Sequence, residues 1–282
     1  MNPTRQHLTF IFMNNIAHSQ GLHRGYGIFE TIQISNSIPL FIEKHIKRLS
    51  HAASVVSLTF DPITLFDQIH TFIQENNLQS AALKVLLFKN QNDDEILITS
   101  RPIPYQPAEY QQGHSLHTSS IYRSVSPPLC AIKSTNYLNY VLAKQEADEA
   151  GFTDSLLLNH KEEICETTRA NIFFVKDNVL HTPHLECGLL PGTMRDTVLK
   201  LSKELNIEIQ QDHYLLKGIK QADEAFLTNS LMGIMPVAKI ANQHFNIQNF
   251  PVTKALSKAL AQEIKNYEQK NLKPPIATGF FK

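Results

Sequence analysis

Two early stretches, 8–14 and 27–35, set β-branched and aromatic residues between polar turn residues, and this pattern predicts strands. Between them, 18–26 is rich in glycine and histidine and reads as a loop. Residues 42–56 carry Ile42, Ile46, Leu49, Ala53 and Val56 at helical spacing. Asp61-Pro62 is a helix-start signal, and 63–75 continues with Leu65, Ile69 and Phe72 on one face. Residues 81–88 and 95–100 read as a strand pair around a polar turn at 90–94, and 115–123 as a further strand. A Pro-Pro pair within 124–129 marks a linker. Beyond it, 136–150 predicts a helix that turns Tyr137, Tyr140, Val141, Ala147 and Ala150 inward. Strands follow at 155–159, 172–176 and 179–182, the last two joined by an Asp-Asn turn. A helix at 195–205 has Asp196 in its first turn, strands occupy 207–211 and 224–228, and a long helix spans 252–269. The reading is α+β, with two domains at 1–123 and 130–282 and a cleft between them, a common setting for a small-molecule site.

Composition narrows the function classes. The 282 residues include 26 basic and 26 acidic side chains, so the net charge is zero and offers no footprint for nucleic acid or anionic membrane. With 42% hydrophobic and 18% charged residues the chain is globular rather than disordered. No apolar run approaches a membrane span, and the N-terminus lacks signal-peptide character, so the expected compartment is the cytoplasm. Ten glycines form neither a GxGxxG nor a GxxxxGK[ST] motif, which argues against a nucleotide loop. The cysteines at 130, 165 and 187 are widely spaced, and the thirteen histidines form no HExxH. Neither a disulfide framework nor a metal site is expected.

The motifs go further, in order along the chain. His45-Ile-Lys-Arg48-Leu lies on the first long helix. Lys133-Ser-Thr-Asn136-Tyr137 precedes the helix at 136–150, and Glu166-Thr-Thr-Arg-Ala-Asn171 follows. Leu190-Pro-Gly192-Thr193-Met194-Arg195 and Asn229-Ser230-Leu231-Met-Gly-Ile-Met-Pro-Val complete the series. Each piece alone has an ordinary reading: a solvated lysine or arginine, a half-exposed strand glutamate, a helix start with a nearby proline. Together they resemble the class IV pyridoxal-phosphate enzymes (fold type IV) over nearly the whole chain. That family includes branched-chain and D-amino-acid aminotransferases and aminodeoxychorismate lyase. The resemblance implies a two-domain fold with pyridoxal 5'-phosphate in the interdomain cleft, a homodimer and a small amino substrate. It also implies that Lys133 forms the Schiff base and moves a proton, while Glu166 faces the ring nitrogen. Arg48 and the Gly192-Thr193-Met194 helix start would meet the phosphate, with the Ser230 hydroxyl and Leu231 N–H beside them. Tyr137 completes the implied cofactor contacts.

Within the family, three details resemble the lyase branch. Three residues separate Lys133 from Tyr137. The segment from Asn229 to Val237 matches the lyase pattern. Thr31 stands where the lyases carry a threonine thought to assist proton transfer, and where branched-chain transaminases carry glycine; strand propensity alone also favours threonine there. The expected reaction is conversion of 4-amino-4-deoxychorismate to p-aminobenzoate and pyruvate, in folate biosynthesis. The alternative is an aminotransferase acting on branched-chain or D-amino acids with 2-oxoglutarate. The chain departs from the family in having Ser19 and Gln20 before Gly25-Tyr-Gly27, and a short polar connection after Lys89. Lys89, Arg101, Tyr105, His18 and His23 are candidate partners for a substrate carboxylate, though the surface-residue reading is the favoured one for each.

Overall fold

The computed structural model describes residues 19–219 and 221–272. The strand expected at 8–14 and His18 lie outside them. The chain begins with α1 (Gln20–Arg24), β1 (Gly27–Ser35), β2 (Ile38–Pro39), α2 (Ile42–Val55) and α3 (Pro62–Glu75). It continues through β3 (Ser80–Asn90), β4 (Asp93–Arg101), α4 (Pro107–Gln112), β5 (His114–Thr118) and α5 (Leu138–Glu149). Then come β6 (Asp154–Leu158), β7 (Ile164–Thr167), β8 (Asn171–Lys176), β9 (Val179–Pro183), α6 (Thr193–Glu204) and β10 (Ile209–Asp212). The described part closes with α7 (Leu216–Ile219), β11 (Glu224–Asn229), β12 (Gly233–Ile240), β13 (Gln243–His244) and α8 (Pro251–Lys270).

Among the described residues these strands make two sheets. The first has four strands in the order β2-β1-β3-β4. The second has nine: β10-β9-β8-β11-β12-β5-β6-β7, with β13 paired to β12. β5 lies in the sequence expected to belong to the first unit, yet it pairs with β12 and β6 of the second sheet. Sheet membership therefore changes between Arg101 and His114, ahead of the Pro-Pro segment.

Local rules account for the elements around the site. In β1, Ile28, Ile32 and Ile34 point to one face and pack against Ile42, Ile46 and Leu49 of α2 and Leu65, Phe66 and Ile69 of α3. Strand alternation sends Phe29 and Thr31 to the opposite face. α3 starts where Asp61 caps the Thr64 N–H at 2.8 Å with Pro62 in the first turn. α1 replaces the expected loop because Ser19 caps it and Gly25, at φ 64°, ends it in the left-handed region.

Other departures have equally local causes. α5 buries Ala143 and Ala147, one turn apart, while Val141 is exposed. Tyr137 and Tyr140 instead face the space between the sheets. The expected strand at 115–123 stops at Thr118, because the Ser119 hydroxyl and the Ser120 N–H turn to the Glu146 carboxylate. β7 and β12 have no counterpart in the expected strands. The first is only four residues and wholly buried, so it shows no alternation. The second contains Gly233 and Pro236, both strand-weakening residues.

Candidate active site

A cavity of about 530 Å³ lies between the two sheets. Thr31, Arg48, Lys133, Tyr137, Glu166, Gly192, Thr193, Met194, Ser230 and Leu231, the residues singled out by sequence, all line it.

Lys133 is held by the backbone of β1. Its carbonyl accepts from the Phe29 N–H at 2.8 Å, and the Thr135 N–H donates to the Gly27 carbonyl at 2.9 Å. The ammonium lies 4.6 Å from the centre of the Phe29 ring and 5.9 Å from that of Tyr137. Burial, reinforced by the nearby Arg48 charge, pulls its pKa from 10.5 down to about 8 despite Glu30 and Glu166. At pH 7 about a tenth of the molecules then carry the free amine, the form that attacks a carbonyl and accepts a proton.

Glu166, on β7, is buried beside it. One carboxylate oxygen accepts from Arg123 Nε at 3.1 Å and from the Tyr140 hydroxyl at 2.8 Å, and the other from the Leu190 N–H at 3.0 Å. A carboxylate offers about four acceptor sites. Glu166 therefore retains room for one further donor, such as a protonated ring nitrogen. Tyr137 spends its hydroxyl on the Thr168 carbonyl at 2.9 Å and offers the cavity its ring.

Arg48 reaches the cavity from α2. Glu30 shares the core-facing side of β1 and meets α2 there, where His45 and Arg48 stand one turn apart. The carboxylate accepts from Arg48 Nε and Nη2, both at 2.6 Å, and from His45 Nδ1 at 2.7 Å. Arg48 Nη1 also donates to the Pro191 carbonyl at 3.0 Å. Burial alone would raise the Glu30 pKa, but Arg48 and His45 overcome it and hold it at about 2. Burial pushes the His45 pKa down, with Glu30 opposing, which favours the uncharged ring. Its Nδ1–H points to the carboxylate, leaving Nε2 as an acceptor 3.4 Å from Ser230 Oγ.

The Pro191–Thr193 turn completes the cradle. Gly192 is the N-cap of α6 and provides no side chain to satisfy the first N–H groups. Asn171 holds the turn by donating to the Leu190 carbonyl at 2.9 Å. A Cβ on Gly192 would meet Asn171 Oδ1 at 2.1 Å, so this close approach requires glycine. The Thr193 and Ser230 hydroxyls lie 3.1 Å apart. Met194 buries its side chain in the core behind α6, which leaves its backbone to face the site. The Leu231 N–H, expected as an anion donor, already donates to Asn229 Oδ1 at 2.9 Å within its own turn.

Sequence reasoning did not single out Lys84, Arg123, Tyr140 or the Glu30–His45 pair as site residues. Lys84 lines the cavity, with its ammonium 4.4 Å from the Phe29 ring centre. It sits opposite Thr31 in the β1–β3 pairing. Burial and then Arg101 lower its pKa. Of the candidates for a substrate carboxylate, Arg101 and Tyr105 line the cavity. Lys89 instead closes the β3–β4 hairpin through Asn92 and Asp94, and His23 is exposed on α1.

A buried, readily deprotonated lysine faces a carboxylate, with an arginine and an uncapped helix start close by. Lysine, acid and anion cradle together fit the aldehyde, ring nitrogen and phosphate of pyridoxal phosphate. The sequence comparison agrees: the amino-transferase class IV family matches residues 27–240. The chain belongs to this pyridoxal-phosphate-dependent enzyme family, and its fold is fold type IV. It is 30% identical to the branched-chain-amino-acid aminotransferase of Escherichia coli K12, over 86% of this chain and 85% of that one. It is 26% identical to the aminodeoxychorismate lyase of Bacillus subtilis, over 87% and 88%. The crystal structure of the E. coli branched-chain aminotransferase superposes with a TM-score of 0.83 at 28% identity, covering 88% of each chain.

Proposed function

We propose that this enzyme is an aminodeoxychorismate lyase that releases pyruvate and p-aminobenzoate, working in the cytoplasm in folate biosynthesis. The observation that carries the reading is the inner face of the first sheet. Thr31 on β1, Lys84 on β3 and Arg101 on β4 share one face of that sheet by strand register, and all three line the cavity together with Lys133. Aminodeoxychorismate bears two carboxylates, which suit two cationic side chains. When bound, pyridoxal phosphate supplies an electron sink for the pair released at the amine-bearing carbon.

The residues of the chain divide the remaining work. Arg48, Gly192, Thr193 and Ser230 would hold the phosphate, and Glu166 would keep the ring nitrogen protonated. Tyr137 and Phe29 flank the Lys133 amine. Lys133 takes the proton from the amine-bearing carbon, and the Thr31 hydroxyl delivers one toward the departing pyruvate. The product ring becomes aromatic, which drives the step forward.

The E. coli relative's name and its higher identity favour a second reading, transfer of an amino group from a branched-chain or D-amino acid to 2-oxoglutarate. An absorbance panel separates the two. Amino acids alone should leave the lyase's cofactor spectrum unchanged, whereas a transaminase converts to the pyridoxamine form. Rapid conversion by L-leucine or D-alanine, with turnover only when 2-oxoglutarate is added, would overturn the lyase reading.

A homodimer is part of the proposal. Leu138, Val141 and Leu142 are exposed on one face of α5, with Leu129 exposed just before it. A second copy covering this face accounts for these large apolar side chains at the surface.

A further inference from the structure

Outside the cavity, three segments distant in sequence meet at Glu163, Cys187 and His213. Glu163 immediately precedes β7, Cys187 ends the short helical turn Leu185–Cys187, and His213 follows β10. Cys187 Sγ lies 3.5 Å from His213 Nδ1, and the same nitrogen lies 3.0 Å from Glu163 Oε1. All three donor atoms lie within 4.8 Å of one another. We propose that Glu163, Cys187 and His213 form a binding site for a transition-metal dication of the zinc class, separate from the active site.

The geometry suits such an ion. With Zn–S near 2.3 Å and Zn–N and Zn–O near 2.0 Å, tetrahedral angles put sulfur and nitrogen about 3.5 Å apart, and nitrogen and oxygen about 3.3 Å apart. The first separation is already met, the second needs a few tenths of an ångström, and the sulfur–oxygen pair, within 4.8 Å, closes to about 3.5 Å on binding. A thiolate, an imidazole and a carboxylate form a donor set that zinc accepts, and three protein ligands leave a fourth position for water.

The surrounding groups orient these donors. Asn159, itself buried, donates Nδ2 to Glu163 Oε2 at 2.7 Å and to the Cys187 carbonyl at 3.3 Å. Glu163 Oε1 is left to face His213. Behind the imidazole, His213 Nε2 lies 3.6 Å from the exposed Glu186 Oε2, an ion-pair contact rather than a hydrogen bond. The Cys187 side chain is buried, while that of His213 is 38% exposed and gives an ion a way in. A second grouping brings His184 and Glu186 to His213, with Glu186 on the Nε2 side of the ring.

The site has a structural consequence. Cys187 leads into the loop whose Leu190 N–H holds Glu166 and whose Pro191 carbonyl accepts from Arg48. An ion at Cys187 and Glu163 ties this loop to the strand that carries Glu166, and so braces the cradle from behind.

The test uses chelator-treated holoenzyme titrated with Co2+ alone, then with Zn2+ alone. One equivalent of Co2+ per chain should give a near-ultraviolet thiolate-to-metal band that Zn2+ displaces, and Zn2+ should raise the unfolding temperature. Cys187→Ser should lose the band, Glu163→Gln should bind at least about 10-fold more weakly, and His184→Ala should retain both band and stoichiometry. Folded wild-type enzyme that develops no thiolate band overturns the proposal, as does a Cys187→Ser variant that keeps it. If Cys187→Ser does not fold, His213→Gln, at an exposed position, gives the same reading: loss of the band supports the site and its retention refutes it.

Discussion

Glu30→Gln isolates the ion cluster beneath the cofactor cradle. Glu30 is 2% exposed and accepts two Arg48 donors and one from His45. Its pKa falls from 4.5 to about 2, which corresponds to about 3 kcal/mol of folding stability at pH 7. The folded value lies below the unfolded one. The stabilisation is therefore complete above about pH 4.5 and is lost as pH falls toward 2. Glutamine keeps the shape, but its amide offers one acceptor oxygen and turns an NH2 toward a guanidinium donor. Breaking a buried pair from one side costs about 3–5 kcal/mol. For a chain of this size that is a fall of roughly 6–15 °C in Tm. The assay is thermal and urea unfolding of cofactor-free wild type and variant from pH 7 down to pH 3. The Glu30 share of the gap should narrow as pH falls from 7 toward 3, as wild type loses what the variant never had. Cofactor affinity should fall as well, because Arg48 loses the partner that orients it. Unchanged Tm at pH 7 together with unchanged cofactor affinity would refute the reasoning.

Further expectations concern the cavity directly. With the Lys133 pKa lowered to about 8, uptake of pyridoxal phosphate by the cofactor-free enzyme should speed up with pH and level off above about 8; a rate still climbing toward 10.5 would mean the lysine is not perturbed. Glu166→Gln should keep the cofactor but lower kcat by about 100-fold, through loss of a preorganised charge at the ring nitrogen; unchanged turnover would remove Glu166 from that role. Gly192→Ala should cost about 1–3 kcal/mol and weaken phosphate binding, because the new Cβ would meet Asn171 Oδ1 at 2.1 Å. Urea melts and a cofactor titration check it, and a variant with wild-type values in both would contradict the close packing of that turn.

Local signals were legible where local chemistry decides. The strand expected at 27–35 is β1, and Asp61-Pro62 does cap α3. The family motifs identified the lysine, glutamate, arginine and helix start that line one cavity. What escaped depends on distant parts of the chain. Arg123 and Tyr140 reach Glu166 from 43 and 26 residues away, and no spacing rule connects them. Glu30 sits in an apolar strand, and its role follows only when α2 brings His45 and Arg48 against its inner face. A buried acid between Phe29 and Thr31 was the available signal, because a carboxylate there needs partners. Lys84 was hidden for a related reason: its place opposite Thr31 is a matter of strand register. The Glu163–Cys187–His213 meeting lies further out of reach, since its three members come from separate segments with no motif spacing.

The most direct test of the account is to supply 4-amino-4-deoxychorismate to the purified holoenzyme with no keto acid present. Pyruvate and p-aminobenzoate should form in equal amounts over many turnovers, and Lys133→Ala should abolish both. Absence of both products from cofactor-loaded enzyme, alongside steady amino transfer from L-leucine to 2-oxoglutarate, would contradict the account and assign the site to transamination.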